Sequence, residues 1–173
     1  MPAELDSDDI RILNLLQQDA RLTNKEIAHK LGKSVTAVHE RIHKLEDNRV
    51  IESYVAILNP ELIGKSLIAF TTVQLKEHAQ AILERFARDI VAFPEVMECH
   101  RLTGPCDYLL KVVTGNMSEY NTFLMKKLST LPNLGSVQSS FVLSEGRVRT
   151  AYTLPQPGRA KKAVKPSPRQ VSP

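Results

Sequence analysis

Apolar positions over the first fifty residues recur at helical spacing. Ile10, Leu13 and Leu16 mark one stripe, widened by Ile12 and Leu15, and Asp6 or Ser7 can cap the helix they predict. Asp8 and Asp9 fall in its first turn, where the positive end of the helix dipole favours them. The next helix has fuller punctuation. Thr23-Asn24-Lys25-Glu26 is a capping box, Leu22 and Ile27 form a hydrophobic staple, and Gly32 supplies the left-handed stop. Ser34 caps a third helix running to about Asp47. Its buried stripe is read as Val35, Val38, Ile42 and Leu45, with Asn48 in the left-handed position after it. Two helices joined by Gly32-Lys33, behind a leading helix, predict a helix-turn-helix of the DNA-binding kind.

Residues 50–58 have strand composition and Asn59-Pro60 ends them, which predicts a strand hinge. Beyond it the pattern repeats. Residues 67–75 are strand-like, and Ala79, Ile82, Leu83, Phe86, Ala87 and Ile90 lie on one helical face that Phe93-Pro94 ends. Strands follow over 96–102 and 108–113. Asn116 then caps a helix with Met117, Tyr120, Leu124, Leu128 and Leu131 on one face, Pro132 stops it, and residues 137–143 form the last strand. The expected fold class is α+β: an N-terminal winged-type helix-turn-helix and a C-terminal ferredoxin-like βαββαβ domain, with helices on one face of an antiparallel sheet. The bare sheet face calls for cover, which predicts a dimer. The expected domains are 1–50 (DNA binding), 51–64 (hinge), 65–154 (ligand sensing and oligomerisation) and 155–173, a Pro-, Lys- and Ser-rich tail read as disordered.

Charge refines this picture. The net +4 of the 173 residues divides into −2 over 1–60, +1 over 61–154 and +5 over the tail, so the basic balance is the tail's. Residues 20–45 nevertheless carry a local +4, from Arg21, Lys25, Lys30, Lys33, Arg41 and Lys44 against Glu26 and Glu40. Two cysteines are too few for a disulfide scaffold and favour a reducing cytoplasm, and no run is long and apolar enough for a membrane span. With neither tryptophan nor a set of stacking aromatics, duplex DNA is the expected nucleic-acid partner rather than a single strand.

On the third helix, Ser34, Thr36 and Ala37 are first candidates for base edges, Glu40 can accept from a cytosine amino group, and Arg41 and Lys44 suit phosphate. His39 and His43 complete the candidate DNA-binding set. These histidines, and Cys99, His100 and Cys106, lack the spacing of a zinc site, so neither a metal nor another cofactor is expected. No phosphate-binding glycine loop, nucleophile elbow or carboxylate pair marks an enzyme.

Several stretches resemble the Lrp/AsnC, or feast/famine, transcription regulators over roughly residues 5–152. They are Leu5-Asp6 with Asp9-Ile10 and Ile12-Leu13, Asp19-Ala20-Arg21 before the capping box, Arg41-Ile42-His43-Lys44-Leu45-Glu46, and Met117-Ser118-x-Tyr120. Most specific is the run 98–111, whose Gly104-x-x-Asp107-Tyr108 is similar to the family's loop near an amino-acid effector pocket at subunit interfaces. The resemblance implies a transcription regulator that senses an amino acid or related small molecule, as a homodimer or as rings of eight or sixteen. Pro105, Cys106, Val35 and the basic tail depart from the family pattern. The implied effector residues are Leu102, Thr103, Gly104, Asp107, Met117, Ser139 and Ser140. Asp107 is either a turn residue or the partner of the ligand's ammonium, and the serines would offer hydroxyls. Two alternatives stay open: a ligand-independent architectural DNA binder, and a decarboxylase-like enzyme on the same scaffold with His100 in its pocket.

Overall fold

The computed structural model describes residues 4–146 and 149–155, which divide into two compact units. The first joins residues 4–56 to 149–155 and holds helices α1 (Ser7–Gln18), α2 (Asn24–Leu31) and α3 (Val35–Asp47). Each start follows the sequence chemistry. The Asp6 side chain accepts from the Asp8 and Asp9 amides in a capping box, Thr23 and Glu26 cap each other's backbone, and Ser34 accepts from the Ala37 amide. Gly32 ends α2 at φ +66°, where a Cβ would be strained. Ile12, Ile27, Ala28, Val38, Ile42 and Leu45 fill the core between the helices. A fully buried side chain such as Ile12 or Ile27 contributes about 1.5–3 kcal/mol of burial free energy.

Several details differ from expectation. Asn48 is not left-handed (φ −80°); Arg49 takes that conformation at φ +55°. Val35 lies at the first turn of α3, ahead of the core contact, and is 47% exposed. Residues 51–59 form no strand, so neither the hinge strand nor a wing is present among the described residues. β-branched composition needs a neighbouring strand to become a ladder, and none lies there among the described residues, leaving Val55 and Ile57 exposed. Residues 149–154 were expected with the second domain. They lie with the helices, where Tyr152 exchanges two hydrogen bonds with the Gln17 side chain and Leu154 packs on the helical core. The expected disorder of the tail concerns residues 156–173, which lie outside the described ones.

The second unit, residues 57–146, holds β1 (Leu67–Leu75), α4 (Gln80–Val91), β2 (Val96–Arg101), β3 (Tyr108–Thr114), α5 (Met117–Lys126) and β4 (Leu134–Phe141). The antiparallel sheet runs β2-β3-β1-β4, the order that two interleaved βαβ units generate. Strand alternation decides what each face meets. Ala69, Val73 and Leu75 of β1 and Tyr108, Leu110 and Val112 of β3 pack against Leu83, Phe86 and Ile90 of α4 and Tyr120 and Phe123 of α5. The opposite face presents Phe70, Thr72, Leu109, Lys111, Gln138 and Ser140 and is not covered by the chain's own helices. Helix α5 stops short of Leu128 and Leu131. Lys127 leaves helical geometry and a 3-10 turn, Leu128–Thr130, still buries Leu128 in the core.

Candidate nucleic-acid interface and effector site

The outer edge of α3 is built by elimination. Val38, Ile42 and Leu45 are drawn inward, so Thr36, His39, Glu40, His43 and Lys44 stand exposed one or two positions away, with Ala37 half-buried at the shoulder. Ser34 is exposed, but its hydroxyl is engaged as the helix cap. A helix presented in this way, behind a capped α2 and a glycine turn, has the form that enters a major groove with the first residues of its outer edge toward base edges.

Arg41 does not fit its expected role. Its Nη1 donates to Asp6 Oδ2 at 2.6 Å and Asp9 Oδ1 at 2.7 Å, so the guanidinium ties α3 to the start of α1. The hydrogen bonds at this junction shift both sides: donation from the Asp9 amide and then from Arg41 holds the Asp6 carboxyl below its ordinary 3.8, while the accepting carboxylates of Asp6 and Asp9 raise the guanidinium value. Lys33 pairs with Asp8 at 2.7 Å. Two of the six cations counted over residues 20–45 are therefore neutralised inside the unit, and Arg21 sits on Asp19. Lys25, Lys30 and Lys44 make no ion pair among the described residues. Asp6, read from sequence only as a helix cap, and Asp8 and Asp9, read only as dipole partners, are the docking site for α3.

Sequence reasoning also missed a set of contacts along α3. Asn24 Nδ2 lies 3.1 Å from His39 Nδ1, the His39 and His43 rings meet edge to face at 4.4 Å, His43 Nδ1 is 3.5 Å from Glu46 Oε2, and the Tyr54 hydroxyl donates to Glu46 Oε1 at 2.9 Å. The i, i+4 spacing of the histidines was a visible signal; their partners on α2 and beyond α3 were not.

The candidate effector residues do not form one cluster within the chain. Leu102, Thr103 and Gly104 are exposed in the loop before β3, and Gly104 takes φ +126°. Met117, half exposed, begins α5 past the other end of β3. Seven strand residues separate them, about 20 Å at the rise of an antiparallel strand. Ser139 and Ser140 alternate to opposite faces. Ser139 joins Thr71 and Tyr120 in a hydroxyl network against α5, while Ser140 pairs with Phe70 on the open face. Asp107 is committed to structure: Oδ2 accepts from the Leu75 amide at 2.7 Å and lies 3.1 Å from His78 Nε2, pinning the end of β1. Its Oδ1 makes no hydrogen bond among the described residues. His100, the alternative's candidate, contacts Glu98 Oε2 at 3.0 Å beside Lys111, which reaches Glu98 Oε1 at 3.1 Å. His100 and then Lys111 hold the Glu98 carboxyl below its ordinary value.

Comparison with known proteins finds a domain family along each part of the chain. An AsnC-type helix-turn-helix domain matches residues 5–46, and an Lrp/AsnC ligand binding domain matches residues 68–151. The chain is 36% identical over 152 residues to the Bkd operon transcriptional regulator of Pseudomonas aeruginosa, covering 88% of this chain and 99% of that one. It is 36% identical over 142 residues to the leucine-responsive regulatory protein of Escherichia coli K12, covering 82% and 87%. Among solved structures, a transcriptional regulator from Neisseria meningitidis in complex with L-Met superposes with a TM-score of 0.81 at 35% identity, covering 87% of this chain and 97% of that chain. Among the described residues, no helix is long and apolar enough to cross a membrane.

Proposed function

The chain belongs to the Lrp/AsnC family of transcription regulators, and on that premise we propose that it is a cytoplasmic homodimer that reads duplex DNA and answers to an amino acid or a close relative. The observation that carries the DNA half is the outer edge of α3: Thr36, Glu40 and Lys44 are exposed while the same helix is capped at its start and clamped through Arg41. Two such heads in a dimer meet half-sites one helical turn or a multiple of a turn apart. Base reading falls to Thr36, Ala37, Glu40, His39 and His43. Phosphate contact falls to Lys44, with Ser34 and Arg41 holding the helix.

The sensing half draws support from the L-Met complex of the Neisseria regulator and from the name of the leucine-responsive relative. A zwitterion requires an anion for its ammonium and aligned donors for its carboxylate. Asp107 Oδ1 and the backbone around Gly104 offer both. Met117 lies too far away in the same chain, so the pocket is one that a second copy completes, its Met117 meeting the first copy's 102–107 loop. The open sheet face is the surface on which two copies join. A ligand at such a site regulates only by preferring one arrangement of copies over another.

A thermal-shift series of the full chain against the twenty amino acids, each at millimolar concentration, tests the sensing half. Binding at a hundred times Kd stabilises by about 2.7 kcal/mol, a shift well outside noise. One or a few chemically related amino acids should raise Tm. No shift with any of them would favour the ligand-independent architectural reading.

A further inference from the structure

We propose that Tyr54 is a positioning residue for DNA recognition, acting through Glu46 to fix which nitrogen of His43 carries its proton. This rests on the reading of α3 as the base-reading helix. The Tyr54 hydroxyl donates to one oxygen of Glu46, and the other oxygen faces His43 Nδ1. At 3.5 Å the contact is longer than a good hydrogen bond, but the negative oxygen favours the tautomer that points an N–H at it, with the proton on Nδ1 and Nε2 of the neutral ring left as an acceptor. At the other end, the Asn24 amide nitrogen donates to His39 Nδ1, which selects the opposite tautomer and makes His39 Nε2 a donor.

The two rings touch edge to face at 4.4 Å and both are exposed. The outer edge of α3 therefore presents one donor and one acceptor, in fixed order, a turn apart. In the major groove that pair distinguishes the O6 and N7 acceptors of guanine from the amino donors of adenine and cytosine. Burial, and then Glu46, push the Tyr54 hydroxyl up to about 12, so it remains a donor across the working pH range. Tyr54 lies just past α3, in the segment leading toward the second unit, with no part in the candidate DNA-contact set. Its influence on recognition runs through Glu46.

The test uses the full chain, a duplex enriched by the wild type from a random-sequence pool, and a mixed-sequence duplex of equal length. Long-range nitrogen-15 spectra at about pH 8, where free imidazole is neutral, report the tautomers. Wild type should show His43 protonated on Nδ1 and His39 on Nε2. Tyr54→Phe, which removes one oxygen atom, should shift His43 toward the other tautomer. It should also lower the ratio of mixed-sequence to enriched-duplex Kd by about tenfold, the discrimination of a single good base contact, with Tm and salt dependence unchanged. In a His43→Gln background the same change should alter the ratio less than about twofold. Unchanged spectra with an unchanged ratio overturn the proposal, as does a fall in Tm with both affinities falling together. If the wild type enriches no sequence at all, the assignment of α3 as the base reader fails first and takes the proposal with it.

Discussion

Arg41→Ala should destabilise the helical unit without touching the electrostatic part of DNA binding. The side chain makes bonds of 2.6 Å to Asp6 and 2.7 Å to Asp9. The Asp6 side chain is 53% exposed, so that arm is worth little, as exposed pairs generally are. Asp9 differs, with its side chain only 11% exposed and its other oxygen accepting from the Asp6 amide at 3.1 Å. Removing the partner of a fully buried carboxylate costs about 3–5 kcal/mol; the surviving cap bond and the access of water through the space left by Arg41 reduce this to about 2 kcal/mol. For a unit of this size that corresponds to a fall in Tm of about 10 °C. Binding measured well below Tm, as log Kd against log salt, should keep the wild-type slope. A phosphate-contacting Arg41 would instead reduce the slope by about one on removal, with little change in Tm. That second outcome would refute the clamp. Acid provides a check on sign. Asp6 is held below 3.8 in the fold, so its contribution is complete above about pH 4 and is lost as pH falls through the lowered value. The wild type should therefore lose, in that acid range, only the small share of its Tm advantage over Arg41→Ala that the exposed Asp6 arm supplies, and keep the whole of it at neutral pH.

Asp107→Ala should destabilise the second unit by about 1–3 kcal/mol in a thermal melt, because the buried Leu75 amide loses its acceptor. Asp107→Asn keeps an oxygen for that amide and removes the charge, so it should melt near wild type yet lose the response to the amino acid found by thermal shift. Gly135→Ala should cost about 1–3 kcal/mol, since a Cβ there would stand 2.7 Å from the Gln74 carbonyl oxygen, and urea denaturation measures it. Phe70→Asp, on the open sheet face, should move the sedimentation profile from dimer toward monomer while the circular dichroism of the fold persists.

Fold-defining chemistry in this chain is local, which is why most of it was legible. Caps at Asp6, Thr23, Ser34 and Asn116, the glycine stop at Gly32 and the alternation in β1 and β3 each act through residues near in sequence. The misreadings involve partners far along the chain. Arg41 looked like a free cation because its partners are more than thirty residues earlier. Asp107 looked available because its partner Leu75 lies 32 positions earlier, with α4 and β2 between them. Residues 50–58 carried the composition of a strand, but composition cannot supply a neighbour. The candidate effector set was assembled from motifs whose residues occur at opposite ends and on opposite faces of one sheet, and sequence spacing does not reveal that separation.

The most direct test of the central claim, that the outer edge of α3 reads duplex DNA, is a fluorescence-anisotropy titration of wild type, Thr36→Ala and Lys44→Ala across a salt series. The duplexes are one enriched by the wild type and its single-base-pair substitutions. Lys44→Ala should weaken binding to every duplex alike and lower the salt slope by about one, whereas Thr36→Ala should keep the slope and change the ranking of substitutions at one position of each half-site. Equal wild-type affinity for all the duplexes, or identical rankings and slopes in all three proteins, would contradict it.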